Sequence, residues 1–208
     1  MFVLGIDPGL SRCGYGVVES RPVGLRAIAL GVITTPPGNA LPQRLHELQR
    51  EIRALIAEFR PSVVVIERVL FQVNVRTAMS VGQASGIAMA EAAGSGCEVV
   101  LYSPNQVKEA VAGHGNASKD QMQRMVQTLL RLPSAPEPPD AADAAALAMT
   151  YLALVNYPSA ADPSVSRLSG GRVKNAVGRA RPAGSSGAAP TPTGTPTPDP
   201  NPVPGAPR

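Results

Sequence analysis

Four carboxylates carry the chemistry open to this 208-residue chain: Asp7, Glu67, Asp140 and Asp143. Asp7 closes the apolar run Met1-Phe2-Val3-Leu4-Gly5-Ile6 and precedes Pro8-Gly9, while Glu67 closes Val63-Val64-Val65-Ile66. Asp140 and Asp143 head an alanine-rich stretch at a spacing that puts both on one face of a helical turn. Acids gathered without a counter-ion repel, and one of them keeps its proton. A hard divalent cation, Mg²⁺ or Mn²⁺, resolves that conflict with an all-oxygen shell. Plainer readings exist for three of the four. Asp7 can open an Asp-Pro-Gly turn, and Asp140 can cap a helix with Asp143 complementing its dipole. Glu67, at the end of an apolar strand, has neither explanation.

The elements that must position these groups read as an α/β unit. Three strand candidates come first, at residues 2–7, 14–19 and 25–34. Their connections are too short for a crossover helix, so they run antiparallel. Leu41, Leu45, Leu48, Ile52, Leu55, Ile56 and Phe59 recur at helical spacing, and Arg60-Pro61 ends that helix. Residues 63–67 form a buried strand, 75–93 a helix and 98–102 another strand, an order that implies parallel pairing. Helices at 104–112, 118–130 and 140–157 complete the body. This outlines a ribonuclease H-like fold, a mixed five-stranded sheet flanked by helices. It would bring the first strand beside the fourth, and with them Asp7 beside Glu67.

Composition divides the chain near Tyr157-Pro158: ten of the 22 prolines follow Pro158, among Gly, Ser, Ala and Thr. The expected organisation is an ordered domain over 1–157 and a disordered tail over 158–208, which lacks the apolar surface to offset chain entropy. Residues 1–158 hold 13 Lys+Arg against 13 Asp+Glu, and residues 159–208 hold 6 against 2, so the net charge of +4 belongs to the tail. Any electropositive recognition by the body must come from local clustering. Cys13 and Cys97 lack metal-ligand spacing and fit a reducing compartment. With no apolar run of about 20 residues and no secretory leader, a soluble, cytoplasmic protein is expected.

Several separated blocks, in order, resemble one family. They are Gly5-Ile6-Asp7-Pro8-Gly9-Leu10-Ser11-Arg12-Cys13-Gly14-Tyr15-Gly16, Ile66-Glu67-Arg68-Val69, Asn74-Val75-Arg76-Thr77-Ala78 with Gly82-Gln83-Ala84-Ser85-Gly86, and Asp140-Ala141-Ala142-Asp143-Ala144. Over residues 1 to about 157 the chain resembles RuvC, the bacterial Holliday junction resolvases. The resemblance implies a ribonuclease H-like fold in which Asp7, Glu67, Asp140 and Asp143 are the catalytic acids that bind Mg²⁺ or Mn²⁺. It also implies four-way junction DNA as substrate, a homodimer, and work beside the RuvA and RuvB branch-migration proteins.

The chemistry expected of such a site is phosphodiester hydrolysis with two metal ions about 3.5–4 Å apart, leaving 5′-phosphate and 3′-hydroxyl ends. A two-fold dimer would supply the two cuts in strands of like polarity that resolution requires. The small-residue helix 75–93, with Met79, Val81, Ile87 and Met89, is a candidate interface or, equally, a helix buried within the monomer. Lys108 and Lys119 are candidates for phosphate contact by the same resemblance, with Arg76 and Arg12 weaker ones and His114 either a neighbour of the metal site or phosphate or, more plainly, a loop residue. Many relatives carry an aromatic residue after the Glu-x-Val exit. Here Leu70 stands there with Phe71 behind it, so either could meet an unpaired base. Ser85 stands where many relatives have Arg, which puts that contact in doubt. A strand ending Gly-Ile-Asp before a glycine turn also begins the actin-like ATPases and sugar kinases, but this chain lacks a second phosphate-binding half. A junction-binding scaffold without catalysis is the other alternative, at odds with a full set of acids.

Overall fold

Strand β1 (Phe2–Asp7) is the axis of the sheet. It pairs antiparallel with β2 (Arg12–Ser20) and parallel with β4 (Val63–Glu67). β3 (Leu25–Thr34) joins β2 antiparallel, and β5 (Glu98–Tyr102) joins β4 in parallel. These are the five expected strands, in the order β3-β2-β1-β4-β5, and a three-residue strand β6 (Ser166–Leu168) adds antiparallel to the β5 edge. β6 falls beyond residue 157, in the segment expected from sequence to be disordered. The computed structural model describes residues 1–68, 75–156 and 166–168, with side chains described for 1–68 and 78–155. All of these belong to the compact unit Met1–Gly171.

Helices cover both faces. α1 (Leu41–Phe59) and α2 (Val75–Gly94) lie on one; α3 (Pro104–Ala112), α4 (Lys119–Leu129) and α5 (Pro139–Asn156) lie on the other. Local sequence explains the helix ends. Arg60 adopts a left-handed conformation at the close of α1 (φ 45°), just before Pro61 stops further winding. Ser103 and Ser118 cap α3 and α4, each in a reciprocal capping box with Gln106 or Gln121. α5 begins at Pro139, so Asp140 lies within its first turn rather than capping it.

The period of two along each strand separates two cores. Leu4 and Ile6 of β1, Cys13 and Val17 of β2, and Val64 and Ile66 of β4 pack with Leu48, Ile52 and Ile56 of α1 and with Ala84, Ala88 and Ala92 of α2. Each large side chain fully buried there contributes about 1.5–3 kcal/mol. The intervening residues face α5: Val3 and Val18 in one layer, Val63 and Val65 beside them, packed against Ala145, Ala148, Met149 and Leu152.

On the α5 face the strands present glycine where a side chain would collide with helix backbone. A Cβ on Gly16 would lie 2.7 Å from the amide nitrogen of Ala145; one on Gly5 would overlap the carbonyl of Ala144, and one on Gly14 that of Asp140. Ala144, Ala145 and Ala148, all buried, complete the match from the helix side. Helix and sheet therefore meet backbone to backbone, which leaves α5 no freedom to rise or slide.

Candidate active site

Alternation puts Val3, Gly5 and Asp7 on the α5 face of β1, and Val63, Val65 and Glu67 on the same face of β4. The parallel register runs Val3↔Val63 to Ile6↔Ile66, so Asp7 and Glu67 follow as the next neighbours although sixty positions separate them in the chain. α5 supplies the other two acids. Its first turn is pressed onto Gly14 of β2, and Asp143 projects one turn further along, toward β1.

Asp7, Glu67 and Asp143 line one cavity of about 340 Å³ together with Lys108 of α3 and Lys119 of α4, under an apolar rim that includes Val107, Met122 and Leu147. Crowding and burial show in the titration of these acids. Burial, followed by the negative fields of Glu67, Asp143 and Asp140, pushes the Asp7 carboxyl up to about 7, against a smaller opposing pull from Lys119. Burial and then Asp143 raise Glu67 as well, while a side-chain hydrogen bond with Asp7 and the charge of Lys119 draw it down. Both carboxyls are therefore raised, each by burial first and by neighbouring acids second. Cys13, buried beneath them, is raised to about 12 by burial and takes no part in chemistry at neutral pH.

Asp140 sits beside the cavity rather than lining it. Its Oδ2 accepts hydrogen bonds from Nε and Nη2 of Arg12, at 3.1 and 2.7 Å. Asp143 Oδ2 lies 3.4 Å from the Nζ of Lys119. Among the described residues, no three His, Cys, Asp or Glu side chains are already drawn into a closed ligand cluster. Three of the four acids share the cavity wall, and the fourth is tied to an arginine at its edge.

The weaker sequence candidates divide. Lys108 and Lys119 are at the cavity, as a phosphate role requires. Arg12 is engaged with Asp140, His114 is exposed on its loop, and Ser85 of α2 is buried. Leu70 and Phe71 lie outside the described residues, as does the side chain of Arg76. Sequence reasoning passed over two parts of the site. One is the glycine set Gly5, Gly14 and Gly16, whose alternation along strands that otherwise favour bulk was the available signal. The other is Arg44 of α1, whose Nη2 donates to Ser11 Oγ at 2.6 Å and Nε to Thr35 Oγ1 at 3.0 Å, bracing the loop after Asp7. No local pattern announces that brace, because its two partners lie 33 and 9 positions away, just before β2 and just after β3.

Comparison with known proteins agrees with the geometry. The family model described as crossover junction endodeoxyribonuclease RuvC matches residues 3–151. A protein of that name from Salinispora arenicola is 53% identical over 155 residues, covering 73% of this chain and 87% of the relative; one from Alkaliphilus oremlandii is 43% identical over 157 residues, covering 76% and 96%. Among solved structures, Thermus thermophilus RuvC in complex with Holliday junction substrate is 33% identical, with a TM-score of 0.74 over 81% of this chain and 99% of that one. The yeast mitochondrial Holliday junction resolvase Ydc2, at 15% identity and a TM-score of 0.53, shares the fold.

Proposed function

The chain belongs to the RuvC family of crossover junction endodeoxyribonucleases, and from that premise we propose how its own residues do the work. It is a structure-selective endonuclease that resolves Holliday junctions by hydrolysis of phosphodiester bonds. The proposal is that Asp7, Glu67, Asp140 and Asp143 are its catalytic acids and hold two Mg²⁺ or Mn²⁺ ions. The observation that carries this reading is the sharing of one cavity by Asp7, Glu67 and Asp143, with Asp7 held up to about 7 by burial and then by its acidic neighbours. An all-oxygen donor set under that much mutual repulsion suits a hard divalent cation.

Bound ions would supply Lewis acidity: charge neutralisation at the scissile phosphate, a more acidic water for in-line attack, and support for the departing 3′ oxygen. The chain's own residues do the rest. Asp7 and Glu67 hold the inner positions because β1 and β4 fix them in register, and α5 brings Asp143 and Asp140 over them. Lys108 and Lys119 take the phosphate oxygens on the open side, where an ammonium serves as a compact point charge. Val107, Met122 and Leu147 keep bulk water from the cavity wall, which strengthens each charge interaction inside. The products carry 5′-phosphate and 3′-hydroxyl ends.

Residues 1–157 form the nuclease domain, and residues 158–208 are a basic, Pro-rich tail. Arg76, Leu70 and Phe71 contact the junction beyond the cleavage point, with Leu70 or Phe71 meeting an unpaired base. Two copies related by a two-fold axis cut strands of like polarity, using α2, whose Met79 is 61% exposed, as the contact. The protein works in the cytoplasm beside RuvA and RuvB. Among the described residues no helix is long and apolar enough to cross a membrane.

The decisive variant is Asp7→Asn, which keeps the shape of the side chain and removes its charge. It is expected to abolish Mg²⁺-dependent cleavage of a synthetic four-way junction while retaining a cooperative melt and junction binding. A folded Asp7→Asn protein that cuts at the normal rate would refute the assignment.

A further inference from the structure

We propose that Arg12 is a positioning residue for Asp140, fixing that carboxylate so that one oxygen is engaged and the other is presented to a divalent ion. The proposal rests on the reading of Asp140 as an ion ligand. Arg12 directs two N–H groups, Nε and Nη2, at the single oxygen Oδ2. Among the described residues no hydrogen bond reaches Oδ1, which leaves that oxygen as the free donor. An arginine forked across both oxygens would block the group; forked onto one, it orients it.

Both ends of the contact are anchored to the same strand. Arg12 opens β2 opposite Thr34 of β3, and the residue before it is held twice: Ser11 Oγ accepts from Arg44, and Ser11 O accepts from the Thr35 amide at 3.2 Å. Asp140 is seated through its backbone on Gly14, two residues further along the same face. The ion pair spans a short, rigid triangle of Arg12, Gly14 and Asp140. It adds little to folding, because the two side chains are 50% and 29% exposed and a pair so open to solvent contributes marginally. The Lys119–Asp143 contact is unlike it: one long approach at 3.4 Å from a lysine that is 78% exposed, free to leave for a phosphate.

The sign of one measurement separates positioning from plain electrostatics. Arg12 carries a positive charge beside a cation site, so charge alone makes its removal tighten ion binding. A positioning role makes removal loosen it, since a carboxylate without its outer partner must be ordered by the ion itself. The experiment is titration of the full-length protein with Mn²⁺ in the absence of DNA, read by calorimetry and by the electron paramagnetic resonance of free Mn²⁺. Arg12→Ala is expected to weaken Mn²⁺ binding about tenfold. Arg12→Lys, which restores charge but not the fork, is expected to fall between wild type and Arg12→Ala. The salt dependence of junction binding, measured in parallel, is expected to match wild type. Mn²⁺ binding by Arg12→Ala as tight as wild type, or tighter, overturns the proposal. So does a junction salt slope shallower by about one, which makes Arg12 a phosphate contact instead. Asp140→Asn distinguishes the levels: if it binds Mn²⁺ as wild type does, the ligand reading of Asp140 fails; if it binds weakly while Arg12→Ala does not, only the role of Arg12 fails.

Discussion

The two faces of the sheet are built to different tolerances. Toward α1 and α2 the contact is made by Leu48, Ile52 and Ile56 against Leu4, Ile6 and Val64, side chains with rotamers to spare. Toward α5, Val3, Val18, Val63 and Val65 also pack on Met149 and Leu152, but at Gly5, Gly14 and Gly16 the main chain of the helix rests directly on the main chain of β1 and β2. A layer of large side chains can absorb a change of volume by repacking. A backbone seat cannot, and it is the backbone seat that carries Asp140 and Asp143. In this fold both faces bury a core, and the α5 face alone adds the close seat that sets placement.

Substitutions on the two faces should therefore fail differently. Gly14→Ala puts a methyl group into the carbonyl of Asp140 and must lift the start of α5. Junction cleavage per folded molecule should fall by at least about a hundredfold, the scale of a misplacement near 1 Å, with a stability loss of about 1–3 kcal/mol. If cleavage survives, placement does not depend on the close seat. Leu48→Ala, on the opposite face, should cost about 2–5 kcal/mol in urea unfolding and leave cleavage per folded molecule unchanged. A loss of activity matching that of Gly14→Ala would erase the distinction between the faces.

Smaller effects sharpen the same contrast. Asp7 has a raised value, about 7 against an ordinary 3.8, so the folded protein holds a proton that the unfolded chain releases. Its contribution is most favourable below about pH 4 and declines as pH rises toward 7. With chelator present, the melting temperature should drop across that window, less steeply in Asp7→Asn; added Mg²⁺ should restore it at neutral pH. A flat profile in wild type would mean that the acids are not crowded. The smallest change is expected from Lys119→Ala: a salt slope for junction binding shallower by about 0.9, with little effect on stability.

Much of this was readable before any coordinates, for reasons tied to particular residues. The apolar runs at 2–6 and 63–66 announced β1 and β4, and the order strand, helix, strand implied the parallel pairing of β4 with β5; Asp7 beside Glu67 was an expectation of the ribonuclease H-like arrangement those elements outline, and the β1–β4 register delivers it. A helix was expected from residue 118, and the structure starts α4 there with Ser118 in a capping box with Gln121. The Asp140–Asp143 spacing announced a shared helical face, yet left open a capping role for Asp140 that the start of α5 at Pro139 removes. What sequence could not supply was distance across the fold. That Arg12 meets Asp140, 128 positions away, or that Arg44 reaches Ser11 and Thr35, depends on how α5 and α1 settle on the sheet. Strand β6 was equally hidden: three residues in a Pro-rich stretch have too short a period to register.

The polarity of the strands has a practical corollary. Since Asp7 and Glu67 stand at the carboxyl ends of β1 and β4, the connections at residues 20–25 and 94–98 emerge from the far edge, a full strand length away. Gly24 and Gly96, both with φ near +80°, make tight reversals there and must stay glycine, whereas Val23 and Ser95 beside them are exposed. Those reversals are the natural points for attaching a fluorophore, a tether or a second module: cargo grafted there would ride at the back of the enzyme while the cutting edge stays clear for DNA.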